Sequence, residues 1–342
     1  MVDGAAAGER VLSVRHFFVT AISPHRAALY ALALVLPCPA ALGQDVAARP
    51  LRVIVPFAAG GSVDFLARII GPKLADIRGQ QVVVDNRPGA GGNLGAELAA
   101  SAPPDGRTLY LCSPSFVINP SLYRRIAYDP FRDFAPVTLL ATTQNVLVAH
   151  PSLPAKNVRA LIALARAQPG AINYASTGSG SSGHLTMELF RSMARIDLVH
   201  VPYKVIGQAL TDLVAGQVSL WFPSLPGALP HIKSGRITAL AVGGSKRATA
   251  LPAAPTVAES GLPGFDASTW YAMLLPAGAS GAVVDQFHRQ LVAIVNTADM
   301  RERLAAQGLE PVASTPAQLA DHLSAESAKW AQVVKASGVR AD

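Results

Sequence analysis

The 342-residue sequence is poor in cysteine, in charge and in aromatic side chains. Two cysteines, Cys38 and Cys112, cannot support a disulfide-built scaffold. With 50% hydrophobic and only 15% charged residues, the chain is too apolar for disorder and has enough for a buried core. The mean hydropathy of +0.31 raises the question of a membrane protein. The longest apolar run, Ala27 to Leu42, is interrupted by Pro37 and Pro39. It falls short of the ~20 residues a span requires, which excludes a multi-span protein. The histidines show no H-E-x-x-H or other metal spacing, so no metal site is expected. A nucleophile elbow is missing too, because Gly180 stands where G-x-S-x-G needs its serine. Lys and Arg are scattered without interleaved aromatics, which argues against nucleic acid.

The N-terminus carries an export signal. Arg15 and Arg26 lead into the apolar stretch Ala27–Leu36, and the small-residue tripeptide Ala41-Leu42-Gly43 follows a proline break. This order predicts a cleaved segment 1–43 and a mature protein in the periplasm. Cleavage removes Cys38 and leaves Cys112 as a lone thiol, expected to be buried and inert. It also leaves 26 basic and 20 acidic residues, a modest positive excess that suits an anionic small ligand.

From Leu51 onward, short β-branched runs alternate with helical patterns. Leu51–Phe57, Thr108–Cys112, Asn145–Ala149, Ile172–Ala175 and Ala267–Leu275 read as strands. Helices are expected at Val63–Leu74, Val158–Ala167, His184–Ala194, Gln208–Val214, Val283–Thr297 and Pro316–Lys335. The alternation predicts an α/β protein with parallel sheets covered on both faces. No Pro/Gly/Ser linker divides the chain, so either it forms one large sheet or two globules are joined by extended crossings, placed near Thr142–His150 and Asp266–Leu275. The first lobe is then discontinuous, 50–144 plus 272–342, and the second is 145–271.

Two loops stand out. Phe57, Ala58, Ala59, Gly60, Gly61 and Ser62 connect a strand end to a helix start that contains Asp64. Ser176, Thr177, Gly178, Ser179, Gly180 and Ser181 do the same in the second half, just before His184. Ligands of open α/β sheets bind outside the carboxyl ends of strands. There a helix start offers unpaired N–H groups and partial positive charge to an anion. Glycine lets the backbone approach, and Ser and Thr hydroxyls add donors. One such loop per lobe would grip two carboxylates of one small molecule across a cleft. Asp64 is expected to cap its helix, or to meet an amino group if the ligand is an amino acid. His184 reads either as a ligand donor or as a cap. A rival reading takes Gly178-x-Gly180-x-x-Gly183 with Asp197 as a dinucleotide fingerprint, but Asp197 opens the next strand, whereas that site needs the acid at the strand's end. Trp270 and Tyr271 fall at a proposed crossing beside the cleft.

These loops sit in a wider set of motifs: Pro56-Phe57-Ala58-Ala59-Gly60-Gly61-Ser62-Val63-Asp64, Asn86-Arg87-Pro88-Gly89-Ala90-Gly91-Gly92, Asn119-Pro120-Ser121-Leu122-Tyr123 and His200-Val201-Pro202-Tyr203-Lys204. With them, the chain from about Arg49 to Val339 resembles the extracytoplasmic solute-binding receptors of tripartite tricarboxylate transporters (Bug-type, TctC-like). The resemblance implies a type II periplasmic-binding-protein fold, with two α/β lobes hinged by two crossing strands around a ligand cleft. It implies no enzyme activity and no cofactor. The implied partners are a small carboxylate (a di- or tricarboxylate, an aromatic acid or an amino acid) and the transporter's membrane subunits, with the receptor acting as a monomer. A sensory receptor that hands its ligand to a signalling protein would carry the same motifs. The resemblance also brings Tyr203 towards the ligand. After it, Val205 replaces the usual glycine and adds bulk where the distal part of the ligand would lie.

Overall fold

Leu51–Val55 (β1) is a strand because it is rich in β-branched residues, and four of its five side chains are buried. It belongs to a computed structural model that describes residues 49–203 and 205–341. The segment read as a signal, 1–43, lies outside these residues, as does Lys204.

β1 pairs in parallel with β2 (Val82–Asn86) and β3 (Thr108–Cys112). The helices α1 (Ser62–Arg78) and α2 (Asn93–Ala100) make the crossovers. Leu66, Ile70 and Leu74 of α1 recur at every fourth position and pack on the sheet with Val53, Val55 and Leu111. A third helix, α3 (Ser115–Leu122), leads to a long strand, β4 (Phe134–Gln144). The chain then leaves for a second sheet and returns in β10 (Ser268–Pro276), which lies antiparallel between β3 and β4. With β11 (Glu310–Pro311), the first sheet has the order β11-β4-β10-β3-β1-β2.

The second sheet contains β5 (Val146–Ala149), β6 (Asn173–Ser176), β7 (Val199–Pro202), β8 (Leu220–Trp221) and β9 (Thr238–Val242), in the order β7-β6-β8-β5-β9. Its helices are α4 (Val158–Ala167), α5 (Ser182–Ala194), α6 (Ile206–Val214) and α7 (Leu225–Lys233). Both sheets are mixed rather than parallel. The chain crosses out and back, so β10 must run against β4, and β5 against β8 and β9. The crossings lie side by side: Ser268 pairs with Gln144, and Gly243 accepts from Ala267 N–H while donating to the Asn145 carbonyl.

After α8 (Gly281–Val295) and α9 (Ala298–Ala306) comes the last helix, α10 (Pro316–Ser337), opened by a Thr315–Gln318 capping box. Leu319 and Leu323 pack with Tyr110 and Trp270 of the first sheet. Trp330, Val333 and Val334 join the core of the second with Leu147 and Phe190. Between them Glu326 Oε2 accepts from the indoles of both Trp270 and Trp330, at 2.9 Å each, and its other oxygen meets Lys329. One helix therefore clasps both lobes along the hinge.

Two helices were not legible in the sequence. α3 contains Pro120, while α7 carries a proline in its first turn and Pro230 inside. Proline marks a helix end in any sequence reading. Here burial of Phe116, Ile118 and Leu122, and of Leu225 and Ala228, outweighs that preference. Cys112 is fully buried, its thiol donating to the Ala272 carbonyl, and burial pushes its pKa well up.

Candidate functional site

The two glycine loops, from opposite lobes, line one cleft of about 840 Å³. Phe57, Ala58, Gly60, Gly61 and Ser62 form one wall. Thr177, Ser179, Gly180 and Ser181 form the other, with Ser182 beside them. The floor includes Thr269 and Tyr271 of β10. Residues of a strand alternate in direction, so Trp270 between them points away, into the core beside α10. Of the two aromatics expected beside the cleft, only Tyr271 reaches it. It neighbours Ser62, and burial pushes its phenol up to about 12.

The first wall is built around Asp64, which is 3% exposed and absent from the cleft lining. Its Oδ2 accepts from Gly60 N–H at 2.9 Å and from Arg68 Nε at 2.8 Å, and Oδ1 accepts from Asn86 Nδ2 at 2.9 Å. The Arg68 guanidinium leads these donors in holding the carboxyl down at about 2, against the opposing effect of burial. The N-cap of α1 is Gly61, which has no side chain to cap the helix, and Asp64, expected to cap it, instead accepts from the amide of Gly60 just before it. That bond folds the loop. What α1 leaves for a ligand is its first turn, where the N–H groups of Ser62 and Val63 have no carbonyl one turn back.

In the second wall the glycine amides are likewise engaged. Gly178 N–H donates to Ser176 Oγ at 3.1 Å, and Gly180 N–H to His184 Nδ1 at 3.0 Å. Ser176 is fully buried and also bonds His200 Nε2 at 2.6 Å, so neither it nor Gly178 lines the cleft. His184, 4% exposed, turns into its lobe and stacks on His200 with ring centroids 3.9 Å apart. Burial, followed by the neighbouring His200, lowers its pKa to about 4. The neutral ring that results accepts at Nδ1, which the Gly180 bond requires. His184 is thus a support for the loop, and the cap of α5 is Ser181, which accepts from His184 N–H. Gly180 has a φ of +77° and sits on Leu122 of α3 without room for a Cβ, so the lobes touch at this point.

Tyr203 points its hydroxyl to Asp212 Oδ2 at 2.8 Å, outside the lining. Val205 is exposed, and the adjacent Ile206 takes its expected place at the cleft. Asp197 pairs with Arg191 at 3.0 Å and precedes β7. Because β6 and β7 are parallel, it lies at the sheet edge opposite the loop, as the dinucleotide reading could not accommodate. Sequence reasoning missed Ser115, Asn119 and Tyr123 as lining residues. The motif Asn119-Pro120-Ser121-Leu122-Tyr123 was the available signal. Among the described residues no Lys, Arg, His, Asp or Glu lines the cleft, and no group of His, Cys, Asp and Glu is placed to hold a metal.

Residues 66–339 match the family described as "Tripartite tricarboxylate transporter family receptor". Protein BugT of Bordetella pertussis is 39% identical over 295 residues, covering 86% of this chain and 90% of that protein. Among solved structures, Rpa4515 of R. palustris with adipate superposes with a TM-score of 0.76 at 36% identity, covering 86% of this chain and 99% of the other. MatC from Rhodopseudomonas palustris with bound malate gives 0.72 at 32% identity, covering 84% and 99%.

Proposed function

The chain belongs to the tripartite tricarboxylate transporter receptor family, whose members are periplasmic solute-binding receptors and not enzymes, and on that footing we propose that it captures a small carboxylate by lobe closure and delivers it to membrane transport subunits. The lobes are 50–144 plus 272–342 and 145–271, with α10 clasping both. Export by the segment 1–43 brings the receptor to the periplasm, where it works as a monomer. No helix among the described residues is long and apolar enough to cross a membrane.

One observation carries this reading: helix starts of both lobes, α1 and α5, open onto the same uncharged cleft. An anion held there is stabilised by first-turn amides and the helix dipoles, with no cationic clamp. Phe57, Ala58, Gly61 and Ser62 contact it from one side, and Thr177, Ser179, Gly180 and Ser181 from the other. Ligand touches both walls only in the closed form and so shifts the population towards closure. A carboxylate in each of the related R. palustris receptors, adipate and malate, supports the ligand class.

Calorimetry against a panel of carboxylates tests it. A Cβ at Gly61 would meet nothing nearer than the Ala58 carbonyl at 3.9 Å, so Gly61→Val folds but fills the approach to the amides. It is expected to abolish binding, and Thr177→Ala or Ser179→Ala to weaken it by about 0.5–2 kcal/mol. Unchanged affinity in all three variants would refute the site.

A further inference from the structure

The cleft continues into a side pocket of about 210 Å³ in the second lobe. Thr177, Ser182, Ile206 and Thr269 line both spaces, so a ligand can occupy them together. The pocket is wedged between the starts of α5, α6 and α7, and its walls are Ile206, Leu210, Trp221, Phe222 and Ala228. Among the described residues no ionisable side chain lines it. Asn145, the most polar group at its base, is engaged: its amide donates to Ser182 and Thr186 and its oxygen accepts from Thr269.

Resting on the carboxylate-receptor reading above, we propose that the ligand is an aromatic or alicyclic carboxylate whose ring enters this side pocket while its carboxylate stays at the start of α1. Volume supports this, because a dry apolar cavity of about 150 Å³ already holds benzene. Chemistry supports it as well. A ring set against Ile206, Leu210, Trp221, Phe222 and Ala228 gains by leaving water. Ile206 is 64% exposed at the rim shared by both spaces, an apolar side chain that a seated ring would cover. The Trp221 indole N–H has no protein acceptor among the described residues and lies 3.6 Å from where a Cβ of Gly183 would stand. It provides one donor for an uncharged acceptor on the ring, such as a hydroxyl or keto oxygen.

Calorimetry on the full mature chain with benzoate, cyclohexanecarboxylate, succinate and citrate gives the test. Benzoate or cyclohexanecarboxylate is expected to bind at least roughly tenfold more tightly than succinate or citrate. Gly227 lines the pocket on α7, and a Cβ there meets only Ser224 Oγ at 3.9 Å. Gly227→Leu therefore fills the pocket, and leucine's helix propensity favours the fold. It should cost the ring acids roughly tenfold or more and leave succinate within roughly threefold. Ring binding should also change the emission of Trp221, since Trp270 and Trp330 are held in the core by Glu326, and Trp221→Phe should remove that change. Succinate or citrate binding as tightly as the ring acids would overturn the inference and leave the receptor reading intact. So would a folded Gly227→Leu protein with undiminished benzoate affinity. Binding of none of the four would overturn both.

Discussion

Acidification should reach the ligand loop through His184. The ring is 4% exposed and accepts the Gly180 N–H at Nδ1, so it is built to be neutral. Its pKa falls from 6.5 to about 4, chiefly through burial and then through His200. Between these values the unfolded chain binds a proton that the folded chain does not. Stability from this group is therefore complete above about pH 6.5 and declines as pH falls towards 4. The shift corresponds to about 3 kcal/mol over the whole window, from 1.36 kcal/mol per pH unit. A protonated ring would also turn an N–H towards the Gly180 N–H, opening the loop and weakening carboxylate binding in the same range. His184→Gln keeps an oxygen acceptor and removes the titration. Urea denaturation of both proteins from pH 7.5 to 4, with calorimetry of a bound carboxylate alongside, measures the difference. The wild type should lose about 3 kcal/mol more than the variant, most of it below pH 6. Parallel profiles would refute the assignment of the acid response to this ring.

Other expectations follow from single contacts. Asp64 titrates in a separate window, because its carboxyl is depressed from 3.8 to about 2: its contribution is complete above the first value and is lost as pH falls through the second. Asp64→Ala orphans the Gly60 and Asn86 N–H groups and should cost about 1–3 kcal/mol in denaturation together with ligand affinity. A Cβ on Gly183 would stand 2.7 Å from the Phe222 carbonyl oxygen, so Gly183→Ala must displace the start of α5. It is expected to cost about 1–3 kcal/mol, seen as a lower Tm, and to weaken ligand binding as well. Glu326→Ala strands two buried indole N–H groups and should destabilise by about 2–5 kcal/mol, with Glu326→Gln recovering part of the loss. If Glu326→Ala melts like the wild type, the hinge bond carries no stability.

Much of the architecture could be read along the chain because it is periodic. Leu66, Ile70 and Leu74 announce α1, the β-branched run at Leu51 announces β1, and the alternation of such runs with helices announces α/β lobes. The two glycine loops and the motifs around them also pointed to the family. Proline-bearing α3 and α7 escaped, because their helices are held by tertiary burial against local preference. The site was legible as a place but not as a set of bonds. Both loops do meet at one cleft, yet the amides of Gly60, Gly178 and Gly180 answer to Asp64, Ser176 and His184.

A one-dimensional pattern specifies which residues want to be helix, strand or turn, since those preferences act between neighbours a few positions apart. It does not specify which acceptor a given N–H will find. The side pocket is assembled from residues near 145, 182, 206, 221 and 269, which only the packing of α5, α6 and α7 on the second sheet brings together. Likewise, that α10 belongs to both lobes depends on where Trp270 and Trp330 come to lie around Glu326. The physical reason is the same in each case: backbone preference is local, whereas the filling of space and the satisfaction of buried polar groups are decided among segments far apart in the chain.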